Sequence, residues 1–268
     1  MIDFKEPEEK KISDEFKKKG YLILKSDDSE SLKYLRDKII LAVEKVCKIK
    51  KKKNNPKDNF LNNFHKNIKQ SQLNDLRLKI INNINQDKKF KLNYFLSSKK
   101  ILNNIVGNEL SMQTRINLSI QTPKDQGSLL PLHSDIWSGD SPFEVVIWIP
   151  LVNCYNSKSM YILPPSEYKK VEKNFSKYSG KSSNEFFNKI KSKVKWLKVD
   201  YGQILIFNQG LPHGNIVNKE NETRWSMNCR FKSVFSPYGD KKLGEFFEPI
   251  TLKAASEIGI SYKYPKSK

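Results

Sequence analysis

The chain has 268 residues, 37% hydrophobic and 11% aromatic, and carries a net charge of +20. That is enough apolar material for a sizeable core, which excludes a wholly disordered chain, and no apolar run is long enough for a membrane-spanning helix. Cys47, Cys154 and Cys229 are scattered, giving neither a disulfide framework nor zinc-ligand spacing. With a charged first segment that lacks an apolar signal centre, the expectation is a cytoplasmic protein with reduced thiols.

The basic surplus is nearly all lysine: of 49 basic residues, only Arg36, Arg77, Arg115, Arg224 and Arg230 are arginine. Arginine is the residue that forks onto phosphates and guanine edges, so its scarcity argues against a specific nucleic-acid partner. Lysine clusters at Lys50–Lys53 and around Lys191–Lys195 read as solvated loops or helix faces, with a patch for an anionic partner as the alternative.

In chain order, Glu8–Lys19 reads as a helix and Tyr21–Leu24 as a short strand. Leu32, Leu35, Ile39, Val43 and Val46 then recur at spacings of three and four behind Asp28 and Ser29, one apolar helical stripe. Lys50–Pro56 breaks it as an exposed loop. Leu73, Leu76, Ile80 and Ile84 mark a further helix, and Ile101–Val106 a short one ending at Gly107. The period then changes to two: Ile116, Leu118 and Ile120 alternate with Arg115, Asn117, Ser119 and Gln121. Phe143–Val152, Ser159–Leu163, Trp196–Val199, Ile204–Phe207 and Trp225–Val234 are further strand candidates, with a helical or looped stretch at 166–190. Helices first and successive strands afterwards point to an α+β fold built on an antiparallel sandwich or jelly roll.

Two of the three histidines, His133 and His213, sit at strand ends; His65 reads as a surface helix residue. His133 and Asp135 are two apart, so on an extended segment both project from one face and can reach one metal ion. With His213, 80 residues on, they make a 2-His-1-carboxylate set with open coordination positions, the pattern of non-haem Fe(II) oxygenases. Eleven residues after His213 come Arg224 and Ser226, a guanidinium and a hydroxyl on one strand face, suited to clamp the distal carboxylate of 2-oxoglutarate. Asn117 and Gln121 are candidates for its other carboxylate. Trp137 and Trp148 are candidate pocket walls able to stack on a sugar ring, and Arg115 a candidate pocket residue. Arg230 either pairs with a protein acid or holds a substrate anion.

The order His-x-Asp, His, Arg resembles the phytanoyl-CoA dioxygenase-like branch of the Fe(II)/2-oxoglutarate oxygenases. Further segments are similar to that family: Phe16–Tyr21 with the helix after it, Val146–Leu151, Met160–Ser166 against a "vlPGSH" segment, and Asp200–Ile204 before the distal histidine. Together they span roughly residues 12–235. Pro165 replaces the family's usual Gly, and Glu167 stands where His is common, two departures beside the substrate mouth. A narrower likeness is to the subgroup of bacterial surface-carbohydrate biosynthesis clusters, which alone points to a sugar or nucleotide-sugar substrate.

The resemblance implies a single oxygenase domain over 1–268 with a double-stranded β-helix core, jelly-roll or cupin-like. Residues 1–110 would form a mainly helical layer, 111–235 the core with an insertion at about 166–193, and 236–268 a C-terminal extension. It implies Fe(II) on His133, Asp135 and His213, with 2-oxoglutarate and dioxygen as cosubstrates, succinate and carbon dioxide released, and a small molecule usually hydroxylated. Asp135 in place of Gly or Ala argues against a halogenase. Two other classes stay open on sequence alone: a metal-dependent cupin-type sugar isomerase or epimerase, and a non-catalytic basic module for anionic polymers.

Overall fold

A computed structural model of the chain describes residues 4–178 and 180–265. It opens with α1 (Pro7–Lys19) and β1 (Tyr21–Lys25), followed by α2 (Ser29–Cys47), α3 (Lys57–Asn62), α4 (Leu73–Asn85), α5 (Lys88–Leu96) and α6 (Lys99–Ile105). Strands β2 (Leu110–Gln113), β3 (Asn117–Gln121), β4 (Val145–Pro150) and β5 (Tyr161–Ile162) come next. Helices α7 (Pro165–Glu172) and α8 (Ser183–Ile190) interrupt them. The chain closes with β6 (Lys195–Trp196), β7 (Gln203–Asn208), β8 (His213–Gly214), β9 (Arg224–Ser233), β10 (Phe247–Pro249) and α9 (Ala254–Ser261). No helix among the described residues is long and apolar enough to cross a membrane.

Local chemistry sets the helix ends. Pro7 occupies the first turn of α1, where its missing N–H costs nothing, and Gly20 ends it at φ 76°. Asp28 caps α2 by accepting from the Ser31 N–H at 2.8 Å, and Leu32, Leu35, Ile39 and Val43 form its buried stripe. Ser182 and Glu185 cap α8 reciprocally.

The strands form two antiparallel sheets. The larger runs β1-β7-β4-β9-β2-β10, with β3 also paired to β9; the smaller runs β6-β5-β8. The helical layer is fastened to the larger sheet through its central strands. The Tyr94 hydroxyl of α5 donates to the Ile147 carbonyl of β4 at 2.8 Å, and the Trp225 indole of β9 donates to the Leu61 carbonyl of α3 at 2.9 Å. Phe64 meets the Trp225 ring edge-on at 4.9 Å. Each fully buried aliphatic or phenyl chain contributes about 1.5–3 kcal/mol, against ~1 kcal/mol for such a hydrogen bond. Burial therefore holds the layer on, and the polar contacts fix its rotation.

The larger sheet draws strands from outside the 111–235 stretch. β1 pairs with β7 in register Tyr21↔Phe207 to Lys25↔Gln203, and β10 pairs with β2. The residues after 235 thus supply a sheet strand and not merely an appendage. α7 and α8 occupy the 166–193 stretch between β5 and β6, around a small separate core of Leu163, Val171, Phe186 and Ile190.

Candidate metal centre

The site lies at the seam between the sheets, where the chain leaves β7 of the larger sheet and, after residues 209–212, enters β8 of the smaller one. His213 opens β8 and faces His133 in an isolated antiparallel bridge: the His133 N–H donates to the His213 carbonyl at 3.0 Å, and the His213 N–H returns the bond at 2.8 Å. The two imidazoles, 80 positions apart in sequence, thereby hold each other's main chain, with ring centroids 4.3 Å apart. Glycines make the approach possible. A Cβ on Gly214 would stand 2.7 Å from the Tyr161 Oη and 2.8 Å from the Leu130 carbonyl oxygen, and one on Gly20 would collide with Leu211.

Extended backbone carries the chain from His133 only through Ser134 (φ −124°, ψ 133°); Asp135 opens a short 3₁₀ turn over Asp135–Ser138. The Asp135 N–H donates to the Gln209 carbonyl at 3.2 Å, anchoring the carboxylate to the segment that leads into His213. One ligand atom from each of His133, Asp135 and His213 lies within 4.8 Å of the others.

Both imidazoles are oriented by the main chain. The His133 Nδ1 lies 2.8 Å from the Pro131 carbonyl oxygen, and the His213 Nδ1 2.8 Å from that of Leu211. A carbonyl only accepts, so each Nδ1 carries the proton and each Nε2 presents a lone pair, the arrangement that prepares histidine for a metal. Burial, and then the neighbouring His133, push the pKa of His213 down to about 4, so it is neutral at pH 7. Burial alone would raise that of Asp135, but contact with His133 and the charge of Arg230, 3.0 Å away, hold it well below the usual carboxylate range. A neutral imidazole and an ionised carboxylate are the forms that bind a divalent cation.

The triad opens into a cavity of about 830 Å³. Arg224 lines it, 3% exposed. Its Nη1 donates to the Ser159 carbonyl at 3.0 Å and its Nη2 to the Ser119 hydroxyl at 2.8 Å. Among the described residues it has no carboxylate partner, and burial lowers its pKa to about 10. The Nε of Arg224 and the hydroxyls of Ser159 and Ser226 are all buried without a hydrogen-bond partner. Buried polar atoms are almost always satisfied, so orphaned atoms grouped around an unpaired buried cation fit a site for an anionic ligand. Ser119 is the residue that sequence reasoning passed over. It shares a strand face with Asn117 and Gln121 and is the cross-strand partner of Ser226, so the alternation already carried the signal.

The remaining sequence candidates separate. Asn117 lines the cavity and donates to Asn228, its cross-strand partner, at 3.0 Å. Gln121 is opposite Arg224 and donates to the Ile216 carbonyl at 2.8 Å; it does not line the cavity. Ser226 lies behind the lining on the same strand face as Arg224. Trp148 and Arg115 line the cavity. Trp137 does not: the 3₁₀ turn after Asp135 carries it outward, where it stacks on Phe186 and meets Phe175 of the α7–α8 stretch. Arg230 lines the cavity and is also paired, with Nη2 3.0 Å from Asp135 and 3.3 Å from Asp140, and Nε donating to Gln209 at 2.8 Å. His65 lies apart from the site, its Nδ1 2.9 Å from the Thr223 hydroxyl. Pro165 starts α7 and Glu167 pairs with Lys170 at 2.6 Å; neither lines the cavity.

No protein-family model matches the chain, and no curated protein is detectably similar to it in sequence. Solved structures do match in fold. SnoK, described as a non-heme alpha ketoglutarate dependent carbocyclase from nogalamycin biosynthesis, aligns with TM-score 0.55 at 13% identity over 90% of this chain and 96% of its own. HygX from Streptomyces hygroscopicus, solved with nickel and 2-oxoglutarate bound, aligns with TM-score 0.55 at 12% identity over 89% and 90%. EctD from S. alaskensis, solved with 2-oxoglutarate and 5-hydroxyectoine, aligns with TM-score 0.55 at 12% identity over 85% and 77%. At such identities the likeness is one of architecture: this chain shares its fold with those three proteins.

Proposed function

We propose that the chain is an Fe(II)- and 2-oxoglutarate-dependent oxygenase that hydroxylates a small molecule, built on the double-stranded β-helix of the phytanoyl-CoA dioxygenase-like branch. One observation carries this: a His-Asp-His cluster opens into the same cavity as a buried guanidinium that no carboxylate among the described residues neutralises. His133 and His213 would hold the metal through Nε2, and Asp135 through its carboxylate. Arg224 and the Ser119 hydroxyl bonded to it would receive the distal carboxylate of the cosubstrate, with Ser226 behind them on the same strand face, and Asn117 would add a polar contact from the same lining. When bound, Fe(II) and 2-oxoglutarate supply the means of activating dioxygen, with succinate and carbon dioxide released. The chain keeps Nδ1 of both histidines protonated against Pro131 and Leu211, keeps Asp135 ionised, and lines the cavity with the apolar Val146, Trp148, Met160 and Phe207.

A carbohydrate-type substrate and a cytoplasmic location belong to the same proposal; Cys47, Cys154 and Cys229 are all free thiols, as a reducing compartment requires. The test is twofold. 2-Oxoglutarate titrated into nickel-loaded protein should bind, and should bind at least tenfold more weakly to Arg224→Gln. Succinate should form only when Fe(II), 2-oxoglutarate and dioxygen are all present, and not in His213→Ala. Failure of 2-oxoglutarate to bind the metal-loaded protein refutes the reading.

A further inference from the structure

The distribution of cations around the cavity is far from that of the whole chain. Lysines outnumber arginines 44 to five, yet four of the five arginines line this cavity, Arg77, Arg115, Arg224 and Arg230, and no lysine among the described residues does. The fifth, Arg36, lies outside it, paired with Asp58 at 2.7 Å and stacked 3.5 Å over the Tyr201 ring. Arg224 is accounted for by the cosubstrate, and Arg230 is neutralised by Asp135 and Asp140. Arg77 and Arg115 remain.

Both of these guanidiniums rest on neutral amides of one helix. Arg77 donates to Asn74 and Arg115 to Asn82, each at 2.7 Å and each on α4. Neither has an ion-pair partner among the described residues, and the Arg77 Nε is buried with no hydrogen-bond partner at all. Among the described residues, the only carboxylate in the lining is Asp135, already engaged by Arg230 and by the metal cluster. Two guanidiniums oriented by amides keep their planar forks without cancelling their charge, the state that suits a bidentate oxyanion better than a hydrated ammonium would. Beside them on the rim, Leu78 and Leu130 are about half exposed, at 45% and 51%.

We propose that the substrate carries an oxyanion, carboxylate or phosphoryl, gripped by Arg77 and Arg115, with its uncharged part on the apolar lining between them and the metal cluster. This names the substrate class of the oxygenase reading and rests on it.

The test uses three simple probes of similar shape, phenyl phosphate, phenylacetate and neutral benzyl alcohol, titrated calorimetrically into the full chain. At least one anionic probe should bind tenfold or more tightly than the alcohol. Whichever of the two is the tighter identifies the group, phosphoryl or carboxylate. Arg77→Gln/Arg115→Gln should abolish that advantage, and each single replacement, made at half-buried or exposed positions that the core does not need, should reduce it at least threefold. An advantage that survives the double replacement places the anion on the surface lysines and overturns the proposal. An advantage lost only in Arg224→Gln places the probe in the cosubstrate clamp, which also overturns it. Binding of 2-oxoglutarate to the nickel-loaded double variant is read alongside: it should be unchanged, so that failure of the anion grip and failure of the oxygenase reading give different results.

Discussion

Replacing Arg224 by methionine should make the ligand-free protein more stable while destroying its affinity for 2-oxoglutarate. The guanidinium is 3% exposed, and burial lowers its pKa to about 10. At ~1.4 kcal/mol per pH unit, holding the charge there costs about 3 kcal/mol. The sign follows from proton counts: only above about pH 10 does the unfolded chain bind a proton that the folded one lacks, so stability rises there as pH rises. At pH 7 the whole cost is present. The bonds to the Ser159 carbonyl and the Ser119 hydroxyl return about 1–2 kcal/mol. The expected gain for Arg224→Met in urea unfolding is therefore about 1–2 kcal/mol, in line with the general finding that apolar replacements of buried charge are tolerated or stabilising. In nickel-loaded protein, 2-oxoglutarate at a hundred times the wild-type dissociation constant should add ~2.7 kcal/mol to the wild-type chain, and about 1.4 kcal/mol or less to a variant that binds it at least tenfold more weakly. A loss of more than about 1 kcal/mol in the ligand-free variant would show that the guanidinium is a structural strut, and the argument from its missing partner would fail.

Two further outcomes follow from the seam. In the metal-free protein His213 binds a proton only near pH 4, whereas the unfolded chain binds one near 6.5, so stability falls as pH drops through that interval. About 2 kcal/mol should be lost between pH 7 and pH 5 by urea titration, and His213→Gln should remove that part of the slope; an equal slope in the variant would assign it elsewhere. Gly214→Ala places a methyl against the Tyr161 hydroxyl and the Leu130 carbonyl, and should cost about 1–3 kcal/mol and weaken nickel binding at least tenfold. Unchanged affinity in a folded Gly214→Ala protein would mean that the bridge between His133 and His213 does not set the ligand geometry.

Much of this arrangement is written in local pattern. The stripe from Leu32 to Val43 and the alternation from Ile116 to Ile120 are short-range signals, and the chain realises them as α2 and β3. β2 escapes such reading because all four of its residues are buried, Ser111 and Gln113 included, so no alternation is visible. β10 is three residues long and ends in proline. In the site, the histidines stood out by rarity and by their positions at strand ends. Trp137, a candidate pocket wall by sequence, leaves the cavity on the 3₁₀ turn that begins at Asp135, which nothing in Pro131–Trp137 announces. Arg77 was invisible for another reason. It sits in an ordinary helical pattern, and its role arises only when α4 lies against β3 in three dimensions.

The residues after β9 have a practical bearing. β10 completes an edge of the larger sheet, Phe246 just ahead of it lines the cavity, and Lys241 is bound to Asp140 at 2.7 Å, the same acid that meets Arg230. Trimming the chain soon after Ser233 to obtain a tidier crystallisation target would therefore strip one side of the chamber and release an acid that steadies the arginine beside Asp135. Affinity handles and fusion partners are better joined ahead of α1, where residues 4–6 are exposed and do not line the cavity.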